Sequence, residues 1–119
     1  MATVDYRLAR RSVLLGLQTG FVSRFDVCDA HPEAMRAARF IGEPASRPCP
    51  ICNSEDLRLL FYAYGKELKR DSGRVYRRSD LEELTQRVGE FCTYVVEVCT
   101  ACSWNHLVRS FLAGQRHAV

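Results

Sequence analysis

The chain has 119 residues, of which 47% are hydrophobic and 26% charged, a composition ordinary for one globular domain with a modest core. No apolar run approaches the roughly 18 residues that a membrane-spanning helix needs, and the first residues lack the charged-then-apolar order of a secretory signal. The formal charge of +3 is too small to indicate nucleic-acid binding by itself. We expect a cytoplasmic protein without a membrane role.

The first part of the chain has a helical pattern. Apolar side chains at helical spacing predict a helix over residues 4–18, and Gly20 suits its C-terminal end. Residues 21–27 are rich in β-forming types, so they predict a short strand or an extended connection.

A second helix is predicted before the middle of the chain. Asp29 suits its N-cap, Pro32 its first turn and Gly42 its end. Residues 43–48 contain two prolines and a serine, and they predict a linker. We therefore divide the chain into an N-terminal helical segment (1–47), a second unit (48–113) and a frayed tail (114–119).

The second unit mixes strand and helix signals. In chain order we predict a strand over 56–64, a polar mobile loop or hairpin tip over 65–73, and a helix from the capping box Ser79-Asp80-Leu81-Glu82 to Gly89. Residues 91–98 predict a further strand, and residues 104–112 predict a last β segment or a mixed strand and helix end. The predicted fold class is α+β, in which the N-terminal helical segment packs on an antiparallel sheet with an inserted helix.

Two cysteine pairs flank most of this unit: Cys49-Pro50-Ile51-Cys52 and Cys99-Thr100-Ala101-Cys102. Two residues between the cysteines allow one tight turn to direct both sulfurs to one point. Two such turns supply four thiolates, the complete tetrahedral shell of a structural zinc ion. Because a filled shell leaves no position for a substrate or an activated water, we predict one structural Zn²⁺. The alternatives are two unrelated pairs in the core or a redox Cys-x-x-Cys.

Five further residues have more than one possible role. Cys28 and His31 form a Cys-x-x-His that could make a second site with Cys92 and His106. The simpler interpretation is that the two cysteines are small buried hydrophobic groups. We expect Trp104 to pack beside the second turn and shield its sulfurs, although it could also stack on a nucleobase.

Basic side chains form two regions that could follow a phosphate backbone. The candidate nucleic-acid or partner surface comprises Arg7, Arg10, Arg11, Lys66, Lys69, Arg70, Arg77 and Arg78. A solvated face balanced by nearby acids explains the same pattern. Four thiolates and one Zn²⁺ would also lower the net charge from +3 to about +1, which weakens the nucleic-acid interpretation.

The chain shows none of the catalytic patterns that we sought. It has no Gly-x-Ser-x-Gly, no phosphate-cradling glycine loop and no His-Glu-x-x-His. We therefore predict a protein that is not an enzyme and takes no small-molecule substrate.

Three strings resemble a family of small actinobacterial proteins catalogued as a domain of unknown function. They are Val27-Cys28-Asp29-Ala30, Cys49-Pro50-Ile51-Cys52, and Val95-Val96-Glu97-Val98-Cys99 continued by Cys102-Ser103-Trp104-Asn105-His106-Leu107-Val108. The resemblance implies a cytoplasmic bacterial protein and supports the four-cysteine site. The second unit is also similar to the zinc ribbons of the transcription and translation machinery, in which two cysteine turns pair across a sheet.

The leading functional hypothesis is a non-enzymatic zinc module that binds nucleic acid or a nucleic-acid machine such as RNA polymerase or the ribosome. The competing hypothesis is a protein–protein adaptor, in which zinc is purely structural and the N-terminal helix docks on a partner. A third hypothesis is a thiol or zinc sensor that uses Cys28 or Cys92.

Overall fold

The computed structural model describes residues 3–117, the last of them by its backbone. The helices are α1 (Arg7–Thr19), α2 (Arg24–Val27), α3 (Pro32–Ile41) and α4 (Arg78–Arg87). The strands are β1 (Thr3–Asp5), β2 (Glu43–Pro44), β3 (Leu57–Tyr64), β4 (Arg74–Tyr76), β5 (Phe91–Cys99) and β6 (Asn105–Ala113). Two short 3₁₀ segments cover Lys66–Asp71 and Gln115–His117.

All strands belong to one antiparallel sheet with the order β1-β6-β5-β3-β2, and β4 also pairs with β3. The predicted α+β class is confirmed. The long strands β3 and β5 pair from Leu57 opposite Cys99 to Tyr64 opposite Cys92. The two short strands of the N-terminal segment, β1 and β2, join the same sheet as the cysteine-bearing strand.

Strand alternation gives the sheet two apolar faces, because both odd and even positions of β3 are apolar. Phe61 and Val95 lie on the face that packs against residues of α4. Leu60 and Val98 lie on the opposite face, where Ala38 of α3 is completely buried against them. Helices on both faces therefore bury the centre of the sheet.

The first face carries two different clusters. We call one the cysteine end, built on buried Cys49, Leu57, Cys99 and Trp104. We call the other the distal end, built on buried Phe61, Ala63, Leu68, Leu81, Leu84, Phe91, Val95 and Ala113. Residues of α1 and α2, including Val13 and Val27, pack against the cysteine end only.

The prediction of a strand over residues 21–27 is wrong, because this stretch contains the short helix α2. The Ser23 side chain accepts a hydrogen bond from the N–H of Asp26, and the Asp26 carboxylate accepts one from the N–H of Ser23. This capping box overrides the β propensity of the neighbouring residues.

Asp29 does not cap the second helix as predicted. The N-cap of α3 is His31, whose Nδ1 accepts a hydrogen bond from the N–H of Glu33 at 3.0 Å. Pro32 in the first turn and Gly42 at the C-cap are confirmed. The carboxylate of Asp29 instead accepts a hydrogen bond from Asn105, which lies just beyond the second cysteine turn.

Two predicted boundaries are shifted. The linker predicted for 43–48 begins with β2, which pairs with β3. The helix predicted to start at the capping box of Ser79 begins two residues earlier than that N-cap implies. Its N-cap is Arg77, which makes no side-chain cap hydrogen bond.

Two stretches predicted to be mobile or frayed are bonded to the core. The polar loop 65–73 buries Leu68 in the distal end. In the predicted frayed tail (114–119), of which residues 118 and 119 lie outside the described residues, the N–H groups of Gln115 and Arg116 donate to the carbonyls of Val88 and Gly89. Both segments thus close over the distal end of the sheet.

Candidate metal centre

The two cysteine turns have the same backbone hydrogen bonds. In the first, the N–H of Cys49 donates to Ser54 O at 2.9 Å and the N–H of Asn53 donates to Cys49 O at 3.0 Å. In the second, Cys99 and Ser103 repeat these bonds at 2.9 and 3.0 Å, with Trp104 O as the first acceptor. Each turn is therefore a closed loop that fixes the positions of its two cysteines.

Each turn ends on a residue in the left-handed backbone region. Asn53 follows the first pair with φ 60°, and Ser103 follows the second with φ 70°. Asparagine enters this region more readily than most residues, whereas serine pays a steric cost there. The hydrogen bonds of the turn hold both residues in this conformation.

The four sulfurs of Cys49, Cys52, Cys99 and Cys102 converge at the cysteine end of the sheet, within 4.8 Å of one another. The Sγ atoms of Cys49 and Cys102 are 3.6 Å apart, and those of Cys52 and Cys99 are 3.7 Å apart. Zinc–sulfur bonds of about 2.3 Å place the sulfurs of a tetrahedral site about 3.8 Å apart. The donor set therefore fits a metal ion of zinc's size and softness.

Burial and backbone hydrogen bonds act in opposite directions on the pKa values of three of these thiols. Burial raises the pKa of Cys49 and Cys102 above the usual thiol value. Burial acts in the same direction on Cys52, but hydrogen bonds led by the N–H of Ser54 outweigh it and lower its pKa. Without a positive charge among them, several buried thiols resist ionisation, and a bound divalent ion supplies that charge.

Trp104 packs beside the metal turns, as predicted from its place after the second pair. It is completely buried in the same cluster as Cys49 and Cys99. Its indole Nε1 donates to Glu97 Oε2 at 2.6 Å, and its ring stacks on His106 with centroids 5.7 Å apart.

Glu97 is a buried charge that the sequence analysis did not assign to the site. Its side chain is 1% exposed, and Arg10 of α1 donates to both carboxylate oxygens at 3.1 Å. Arg47 lies 3.7 Å from the same carboxylate. The pair connects α1 to the sheet directly behind Trp104. The sequence did contain a sign of this burial. Glu97 stands among the valines of β5, and strand alternation places it on the same face as buried Cys99.

The second metal site considered for Cys28, His31, Cys92 and His106 is not formed within residues 3–117. His31 caps α3, and Cys92 is the second residue of β5, at the distal end. Cys28, however, lies beside the four-cysteine cluster, with its Sγ 3.9 Å from that of Cys102. Sequence spacing gave no indication of this contact, since 74 residues separate the two.

Three of the eight residues of the predicted basic surface are paired with carboxylates. Arg7, Arg10 and Arg78 form ion pairs with Asp5, Glu97 and Glu43 respectively. The guanidinium of Arg78 also lies over the ring of Phe61, 4.9 Å from its centroid. The other five, Arg11, Lys66, Lys69, Arg70 and Arg77, are exposed, and the ion-paired Arg7 and Arg78 are exposed as well.

The opposite face of the sheet carries an apolar groove of about 710 Å³ beside the N-terminus of α3. Its floor includes Tyr62, Tyr94 and Leu107, and His31 stands at its rim. A groove of this size and composition is in the range of small-ligand sites. Turnover of a small molecule bound there would contradict the prediction that the protein takes no small-molecule substrate.

The longest helix among residues 3–117, α1, has 13 residues. No helix there combines the length and the apolar character that a membrane crossing requires.

Two mycobacterial proteins are similar to this chain over most of its length. The chain is 44% identical over 111 residues to the uncharacterized protein Mb0050 of Mycobacterium bovis and to the uncharacterized protein Rv0049 of Mycobacterium tuberculosis. Each match covers 93% of this chain and 81% of the relative. No solved structure matches at a significant level. A family model described as "Family of unknown function (DUF5318)" matches residues 1–119, and the chain belongs to this family.

Proposed function

We propose that this protein is a non-enzymatic binding module whose partner is another protein, with one zinc ion as a structural staple. The observation that carries the proposal is a pair of phenylalanines at the corner between α1 and α2. Phe21 is 90% exposed and Phe25 is 91% exposed. Single exposed apolar residues are ordinary, but two large aromatic rings four positions apart present an apolar surface typical of interfaces.

The corner that presents these rings has a defined shape. Val22 folds back on α1, where its N–H donates to Gly16 O at 3.1 Å. A Cβ at Gly16 would lie 2.9 Å from the Val22 side chain, so the close approach needs glycine. The capping box of Ser23 and Asp26 fixes the start of α2. Because this corner is already ordered, a partner would bind it with a smaller loss of conformational entropy.

The corner is also attached to the metal centre. Val27 at the end of α2 packs in the cluster that contains Trp104. The N–H of Ala30 donates to Ser103 O at 3.0 Å. Zinc would therefore stabilise the surface that carries the phenylalanines without contacting the partner, which is the arrangement expected for a structural site.

The narrower form of the proposal places the partner in the transcription or translation apparatus. It is supported by the similarity of the two-turn unit to zinc ribbons. Purified RNA polymerase and ribosomes are the candidates to test directly, with nuclease present to separate protein contacts from nucleic-acid contacts.

The test compares Phe21→Ser/Phe25→Ser with the control Phe40→Ser. Phe40 is 74% exposed but lies at the end of α3. Affinity purification from a mycobacterial lysate, with quantitative mass spectrometry, should give a partner that the double variant loses at least tenfold and that the control retains. Zinc content should be equal in all three proteins. Equal recovery by the double variant and the wild type would contradict the proposal.

Nucleic-acid binding is the second candidate function, favoured by exposed Lys66, Lys69 and Arg70 on one short segment. It ranks lower because three of the eight predicted cationic residues are paired with carboxylates. Fluorescence anisotropy of labelled single-stranded RNA across a salt series tests it. Affinity that falls with salt, and that is lost when the three cations are replaced by alanine, would favour this candidate. Salt-independent or undetectable binding would remove it.

A further inference from the structure

Five sulfurs, not four, meet at the cysteine end. Cys28 Sγ is 3.9 Å from Cys102 Sγ, nearly the same separation as the 3.6 and 3.7 Å between ligand sulfurs. Cys28 is nevertheless outside the set of four whose sulfurs all lie within 4.8 Å of one another. A tetrahedral ion is already satisfied by that set, so the fifth thiol touches one ligand without being needed by the metal.

The position of Cys28 is fixed by the chain around it. As the C-cap of α2, it donates its N–H to Arg24 O at 2.9 Å. The next residues are bonded to the segment that follows Cys102: Asp29 accepts from Asn105 at 2.9 Å, and Ala30 donates to Ser103 O. These bonds hold the two thiol-bearing segments side by side, and both thiols are half-buried rather than sealed from small solutes.

We propose that Cys28 is the resolving thiol of a redox switch at the metal centre. A hydroperoxide oxidises Cys102, Cys28 and Cys102 form a disulfide, and the metal loses one of its four ligands. The proposal concerns this chain alone and does not depend on the identity of a partner.

The chemistry balances with a hydroperoxide as the oxidant. The Cys102 sulfur attacks the peroxide, so that an S–O bond forms and the O–O bond breaks, leaving a sulfenic acid on Cys102 and one molecule of water or alcohol. The Cys28 sulfur then attacks the Cys102 sulfur. The S–S bond forms, the S–O bond breaks, and the departing oxygen leaves as water with the proton of the Cys28 thiol. In sum, two thiols are oxidised by two electrons and one peroxide is reduced.

The geometry makes this disulfide accessible. A disulfide bond is about 2.0 Å long, so the two sulfurs must approach by about 1.9 Å. Three thiolates would remain at the site, and a three-ligand site loses the closed shell that stabilises structural zinc. The bond would also tie the α1–α2 segment covalently to the second turn.

The experiment treats the zinc-loaded full chain with hydrogen peroxide in the presence of a zinc-binding dye, followed by non-reducing peptide mapping. The expected result is one zinc released per chain together with a Cys28–Cys102 disulfide. A dithiol reductant should then restore zinc binding. Disulfides within either Cys-x-x-Cys pair, with none to Cys28, would overturn the proposal without requiring any variant.

Cys28→Ser tests the resolving role, and Cys92→Ser on the distal part of β5 is the matched control. Without Cys28, the sulfenic acid on Cys102 is left with fellow ligands such as Cys49, whose Sγ is 3.6 Å away, and the fraction that these do not resolve proceeds to the irreversible sulfinic acid. The variant should therefore bind zinc when reduced but recover less than half of it after an oxidation and reduction cycle. Cys92→Ser should recover like the wild type. Full recovery by Cys28→Ser would contradict the proposal.

Discussion

The cysteine end and the distal end of the sheet are stabilised in different ways. The distal end buries eight apolar residues from three strands (β3, β5 and β6), α4 and the 3₁₀ segment after β3. The cysteine end buries four residues, of which two are metal-ligand candidates, and carries the buried Arg10–Glu97 pair behind them. A small cluster with two polar centres has little hydrophobic free energy of its own. A metal ion held by the four cysteines would therefore compensate for the smaller core at this end of the sheet.

The largest expected effect comes from removing a ligand at the cysteine end. Cys99→Ser should reduce zinc content from about one ion per chain to nearly none, because structural zinc binding contributes on the order of 10 kcal/mol in small zinc domains. Trp104, the only tryptophan, is buried beside the site and reports its unfolding. Its emission should shift to longer wavelength, while Cys92→Ser leaves both zinc content and emission unchanged.

The next effect comes from the buried ion pair. Arg10→Met should destabilise the protein by about 3–5 kcal/mol, because it leaves the buried carboxylate of Glu97 with the neutral indole N–H of Trp104 and only the longer ionic contact to Arg47. Adding Glu97→Gln should recover a large part of this loss, since the double variant buries no net charge. Urea unfolding of both variants measures these changes in the free energy of unfolding. If the two substitutions destabilise additively, Glu97 and Arg10 are not coupled.

A substitution at the distal end should affect stability without affecting the metal. Leu84 is 4% exposed in the apolar cluster, so Leu84→Ala should lower the free energy of unfolding by about 2–5 kcal/mol. Zinc content and the native Trp104 emission should remain those of the wild type. Zinc loss in Leu84→Ala would show that the two ends are not independently stabilised.

The smallest effect is expected at the surface ion pair between Glu43 and Arg78. Arg78 donates two hydrogen bonds of 2.7 Å to the carboxylate, and this contact lowers the pKa of Glu43 below its usual 4.5. Its contribution is therefore complete above that pH and is lost as the pH falls through the lowered pKa. Glu43→Gln should cost at most about 1 kcal/mol at neutral pH, less in high salt. A cost clearly above this value would mean that Glu43 makes a stabilising interaction other than the pair with Arg78.

Local patterns predicted the features that depend on neighbouring residues. The two cysteine pairs, the ends of α1 and α3 at Gly20 and Gly42, and the long strands follow from spacing and residue type alone. The stretch at 21–27 was misread because the capping box of Ser23 and Asp26 competes with its β propensity. Here a local hydrogen-bond pattern outweighed composition.

Other features depend on contacts between distant parts of the chain. The contact of Cys28 with Cys102 spans 74 residues and leaves no spacing signature. The pairing of Arg10 with Glu97 requires α1 to lie against β5, and single-sequence reasoning does not establish which helix covers which face. Leu68 likewise looked like part of a mobile loop until the sheet placed it in the distal cluster.

X-ray absorption at the zinc edge of the purified full chain tests the central claim most directly. The four-cysteine site predicts about one zinc per chain with four sulfur neighbours at about 2.3 Å and no nitrogen or oxygen in the inner shell. A first shell containing nitrogen or oxygen, or a purified chain with intact fold and no bound metal, would contradict the account.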